Sequence, residues 1–180
     1  MIESLMFILG MLASGTLLAL MLATGFIKDF RFWPPGERDW RWLSYWILSM
    51  TNVVSLAVLT IQNLGSVTIG LRTIFGGILA LVGLVINIVA IFQLGMERTS
   101  GLEGEFYQNG LYSYSRNPQV AGNLVMLAGL VVALPVLEIR AVSVLTGLWL
   151  YFMVFAEEDW LEEEHGEDYL GYKEKVPRFF

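Results

Sequence analysis

Of 180 residues, 56% are hydrophobic and only 16% charged, which exceeds the apolar content a soluble core of this size requires and makes lipid the expected solvent. The absence of cysteine excludes a disulfide, a thiolate metal site and a cysteine nucleophile, and the single histidine, His165, excludes a multi-histidine metal centre. The net charge of −6 is local, because eight of the seventeen acidic residues lie between Glu157 and Asp168, and no basic stripe interleaved with aromatics offers a nucleic-acid surface.

A helix needs about 20 apolar residues to cross the hydrocarbon. Five segments approach that length, residues 4–27, 42–61, 69–94, 119–136 and 141–156, and predict an all-α polytopic membrane protein with five transmembrane helices. The first lacks the basic leading region of a signal peptide and is read as a span, with Gly10, Ser14, Gly15 and Gly25 available for close helix contact. Residues 1–94 form a three-span scaffold in this reading, and residues 95–180 a loop, a helical hairpin and a tail.

The first loop carries Lys28, Arg31, Arg38 and Arg41 and the turn Trp33-Pro34-Pro35-Gly36, and Trp33, Trp40, Trp42, Tyr45 and Trp46 surround it and the entry to the second span as interfacial anchors. Arg72 alone lies in the second loop, Arg98 and Arg116 in the third, Arg140 in the fourth, and Lys173, Lys175 and Arg178 in the tail. Nine cations thus fall on one side and two on the other, which predicts an N-terminus outside and a C-terminus in the cytosol. Asn52, Asn87 and Asn123 inside the spans are expected to bond between helices.

The third loop ends in Gly110-Leu-Tyr112-Ser-Tyr-Ser-Arg116-Asn117-Pro118-Gln119-Val120-Ala-Gly122. Asn117 suits a helix N-cap and Pro118 the first helical position, so the motif reads as a helix start. The same geometry offers unpaired amides to an anion, and Arg116 adds a fork for a carboxylate or phosphate. The tail opens on Glu157-Glu158 and runs through Leu161, His165, Gly166, Tyr169 and Tyr172 to Val176-Pro177-Arg178. Six carboxylates within eight residues at a helix C-terminus oppose the macrodipole and repel one another, so some require cationic partners. The hairpin goes out and returns, bringing both motifs to one membrane face, where Glu157 or Glu158 is expected to pair with Arg116. His165 reads as a packing or surface residue in preference to a general base.

The combination Gly-x-Tyr…Arg-Asn-Pro-Gln-x-x-Gly, a hairpin, then Glu-Glu-x-x-Leu-x-x-x-x-Gly-x-x-Tyr-x-x-Tyr-x-x-x-Val-Pro-Arg resembles the isoprenylcysteine carboxyl methyltransferase and phospholipid methyltransferase superfamily over residues 110–178. The resemblance implies an integral membrane enzyme that binds S-adenosylmethionine between the last hairpin and the tail and admits a lipid-like or lipidated acceptor sideways. It implies Arg116, Glu157 and Glu158 as catalytic residues, and Tyr112, Arg116, Asn117, Gln119, Glu158, Tyr169 and Tyr172 as cofactor-binding residues. Tyr169 and Tyr172 admit a packing role as well. No metal or nucleic-acid partner is expected.

Asn117 stands where the family commonly has histidine, a substitution associated with prokaryotic branches and hence with a prokaryotic cell membrane, and Val120 where it commonly has tyrosine. Phe152 and Met153 occupy the turn before the acidic pair, where eukaryotic prenylcysteine enzymes resemble one another in an arginine, so a prenylcysteine carboxylate is not the preferred acceptor. Two alternatives stay open: an NADPH-dependent intramembrane sterol-type reductase, which shares an Arg-x-Pro helix start, and a non-catalytic membrane protein of the same fold.

Overall fold

A computed structural model describes residues 1–180, the side chain of Ser66 apart. The chain forms α1 (Ile2–Phe26), α2 (Trp40–Asn63), α3 (Leu71–Leu94), the single turn α4 (Met96–Thr99), α5 (Pro118–Ala133) and α6 (Leu137–Lys173), with 3-10 turns at Leu64–Ser66 and Gly110–Ser113. Among the described residues no strand forms beyond an isolated bridge between Gly36 and Leu102. The protein is an all-helical polytopic membrane protein, in which α1, α2, α3 and α6 are long and apolar enough to span. The fifth predicted span, α5, has 16 residues. At about 1.5 Å per residue it falls short of the roughly 30 Å hydrocarbon layer.

The helical residues of α6 before Gly166, 137–165, reach about 43 Å and outrun that layer. The last predicted span and most of the acidic run thus share one helix, which breaks at Gly166, where φ is 50° and ψ −122°, before a short helix runs on to Lys173. A glycine adopts that angle at no steric cost, and the bend redirects the final turns so that Tyr169 and Tyr172 come to lie buried.

Lipid offers no hydrophobic drive between helices, so small residues and polar bonds decide which helices meet. α1 packs on α2 and α6, α6 on α5, and α5 on α3. At the α3–α5 contact two pairs of glycines spaced by seven, Gly76 with Gly83 and Gly122 with Gly129, let the backbones touch. A Cβ at Gly83 would stand 2.3 Å from Met126 N, and one at Gly129 2.3 Å from Ala80 N. Among the small residues of α1, a Cβ at Gly10 would stand 3.1 Å from the Ser55 and Val142 side chains, whereas a Cβ at Gly25 would meet nothing within 4 Å.

Asn52 joins three helices: its Nδ2 donates to Ser14 Oγ, and Thr146 Oγ1 donates to its Oδ1 at 3.1 Å. Asn87 Nδ2 donates to the Gln119 carbonyl at 3.1 Å, linking α3 to α5. The aromatic residues of the first loop divide. Trp40 is exposed, as an interfacial anchor would be, but Trp33 and Tyr45 are buried with ring centres 4.1 Å apart. The loop is held against the third loop because Gly36 N donates to Gly101 O and Glu103 N to Gly36 O.

Candidate functional site

Pro118 opens α5 at its first turn, where a missing N–H costs nothing. Asn117 holds the N-cap position, but its side chain makes no capping bond. Instead Nδ2 donates to Glu158 Oε1 at 2.9 Å, which corrects the expected capping role. The amides at the start of α5 therefore lack a side-chain cap, beside Gln119 and Val120, which line a cavity.

Glu158 is 2% exposed and gathers two hydrogen-bond donors and a further cation. Arg178 approaches with two prongs, Nε at 3.1 Å and Nη2 at 2.8 Å from Oε2. Asn117 is the second donor, and Arg116 Nη1, whose side chain is 9% exposed, stands 3.5 Å from Oε2. The hydrogen-bonded Glu158 carboxylate raises Arg178 above its ordinary value, and the Arg178 guanidinium also lies 4.3 Å over the Phe155 ring. Backbone bonds reinforce the clasp: Arg116 N donates to Pro177 O at 2.9 Å, and Ser115 Oγ to Arg178 O at 3.2 Å. Arg178 is absent from the predicted site, although Val176-Pro177-Arg178 is part of the tail motif. Its role requires the chain to return after the Gly166 bend.

Two cavities flank this clasp. The larger, about 250 Å³, lies between α2, α3, α5 and α6 and takes in Trp33, Tyr45, Asn117, Gln119, Asn123 and Trp149. The smaller, about 60 Å³, lies under the tail and takes in Phe106, Trp160, His165, Tyr169 and Tyr172. Leu94, Tyr112, Arg116 and Glu157 line both. The predicted site residues therefore gather around one partition, except Glu158, which lies behind it and lines neither cavity.

Tyr172 donates from its hydroxyl to the Tyr112 carbonyl at 2.5 Å, fixing the tail to the 3-10 turn. Gln119 Nε2 donates to Thr99 Oγ1 at 2.8 Å. His165 packs against Phe106 with ring centres 5.3 Å apart and the ring planes tilted by 33°. Arg116 Nε and the Tyr169 hydroxyl are buried without a hydrogen-bond partner. An unpaired buried donor is costly, so these two groups beside the smaller cavity suit an anionic or polar ligand.

A family model described as phospholipid methyltransferase matches residues 71–168, from the start of α3 into the far end of α6. The match takes in Tyr112, Arg116, Glu157 and Glu158 and stops short of Tyr169, Tyr172 and Arg178. No curated protein and no solved structure matches the chain.

Proposed function

Since the chain belongs to the phospholipid methyltransferase family, a family of membrane methyltransferases, we propose that it transfers a methyl group from S-adenosylmethionine to a lipophilic acceptor held in the membrane. The observation that carries this reading is the partition of Tyr112, Arg116 and Glu157 shared by two cavities of different character. The smaller suits the amino-acid end of the donor: Arg116 and the Tyr169 hydroxyl have free donors for its carboxylate, with Tyr112 and Tyr172 beside them. Asn117 and Gln119 complete the candidate set from the start of α5. The larger, walled mostly by apolar side chains of α2, α3, α5 and α6, suits the acceptor.

S-adenosylmethionine supplies an electrophilic methyl group on a sulfonium. The protein has to hold the acceptor in line and exclude water. That methyl would pass to the acceptor's lone pair, and Glu157 would take the proton that an amine acceptor releases. Glu158 is a positioning residue, since its oxygens are committed to Asn117, Arg178 and Arg116. The cation asymmetry supports a cytosolic donor cavity, which faces the soluble cofactor pool.

Titration of the purified protein with S-adenosylhomocysteine and, separately, NADPH tests this reading. The first is expected to bind and the second not to; the reverse would establish a reductase, and neither binding would leave a non-catalytic protein. Arg116→Lys keeps the charge but not the planar fork. It is expected to weaken S-adenosylhomocysteine by about 100-fold, and unchanged affinity in a folded variant would remove Arg116 from the donor site.

A further inference from the structure

The larger cavity is unlike a slot for a hydrocarbon tail, because neutral hydrogen-bonding groups follow it into the membrane. Asn123 lies six residues beyond Asn117 on α5, about 9 Å deeper, and Asn87 seven residues before Leu94 on α3, about 10 Å deeper. Thr146 lies eleven residues before Glu157 on α6, about 16 Å deeper, and bonds to Asn52 across the cavity floor. All four side chains line the cavity. Asn52, Thr146 and Asn87 are engaged with protein partners, whereas among the described residues the Asn123 carboxamide has none. An unpartnered carboxamide at that depth has no water-rich surface to turn to and needs its partner from the cavity.

Charge along the same walls is sparse. Arg116, already paired with Glu158, is the only cation and Glu157 the only anion among the lining residues. A phosphodiester seated beyond the partition would have no counter-charge of its own.

The geometry points to an acceptor that is free of phosphate and carries a polar group at each end: the methylated amine or hydroxyl at Glu157, and a second hydrogen-bonding function, a hydroxyl or carbonyl, that reaches Asn123 and the Asn52–Thr146 floor. This rests on the methyltransferase reading above. It departs from the phospholipid in the family's description.

Three probes decide it, each supplied to the full-length protein in lipid nanodiscs with methyl-labelled S-adenosylmethionine: 12-amino-1-dodecanol, dodecylamine and a short-chain phosphatidylethanolamine. Label transfer is corrected for partition into the bilayer, and S-adenosylhomocysteine binding is measured on the same preparation. The amino alcohol is expected to be methylated with a kcat/KM about tenfold above that of dodecylamine, as one well-placed hydrogen bond provides, and above that of the phospholipid. Asn123→Leu, which removes no bond within the protein, is expected to reduce that preference to about twofold, and Thr146→Val to lower it in the same direction. Equal transfer to dodecylamine, faster transfer to the phospholipid, or a preference unchanged in both variants would overturn the inference. Binding of S-adenosylhomocysteine with no transfer to any probe would overturn it while leaving the donor site standing, and loss of that binding in the wild-type protein would sink the methyltransferase reading itself.

Discussion

Glu158→Ala is expected to destabilise the protein by about 3–5 kcal/mol and to abolish S-adenosylhomocysteine binding. The carboxylate is 2% exposed and is the shared partner of Arg178, Asn117 and Arg116, so its removal leaves a guanidinium that is itself 9% exposed without its counter-charge. The Arg178 contact also ties the returning tail to α6, so the tail is expected to loosen with it and to carry Tyr169 and Tyr172 away from the small cavity. Glu158→Gln keeps an acceptor for Asn117 and loses the charge, and is expected to fall between wild type and alanine. Detergent-unfolding titrations read the stability loss, and proteolysis after Arg178 or Lys175 reads release of the tail. Glu157→Gln makes the contrast: it retains S-adenosylhomocysteine binding and loses about 100-fold in transfer to an amine acceptor. If Glu158→Ala were as stable as Glu157→Gln, the clasp would not be what holds the two motifs together.

Gly83→Leu is expected to cost about 3 kcal/mol, with α3 released from α5. A Cβ at Gly83 already meets the Met126 backbone nitrogen at 2.3 Å and the Gly122 carbonyl oxygen at 2.5 Å. These are backbone atoms within a helix and cannot rotate aside, so the helices must separate along the whole contact. Gly77 lies one helix face away, and a Cβ there meets nothing within 4 Å. Gly77→Leu is therefore expected to be neutral or slightly stabilising through helix propensity. Separation of α3 and α5 also breaks the Asn87–Gln119 bond in the cavity wall. Accordingly, Gly83→Leu is expected to impair methyl transfer in whatever fraction stays folded. Equal unfolding midpoints for the two variants would show that the close approach contributes nothing.

Periodicity and apolar length are properties of the chain itself, so the helical segments are legible in the sequence to within a few residues at most ends. α3 ends at Leu94 as predicted, and α5 begins at Pro118, one residue before the predicted span. The boundary at the tail was not legible. Charged residues mark where a span leaves the membrane and carry no signal that the helix stops, so α6 continues through the acidic run as far as the break at Gly166. Of the expected interfacial anchors, Trp33 and Tyr45 are buried for a related reason: an aromatic ring suits both an interface and a buried wall, and composition does not distinguish Trp40 from Trp33.

The sequence by itself determined that the chain spans a membrane as helices, and that Arg116 and the Glu157–Glu158 pair return to one face, because a hairpin must bring its two ends together. Which glutamate binds the arginine, the arrival of Arg178 as its second cation, and the gathering of Tyr112, Arg116 and Glu157 into a partition were decided by tertiary structure alone. Those choices depend on the rotation of α6 about its axis, on the bend at Gly166 and on the backbone approach of α3 to α5. Each is set by contacts between residues far apart in the chain, and no local pattern encodes them.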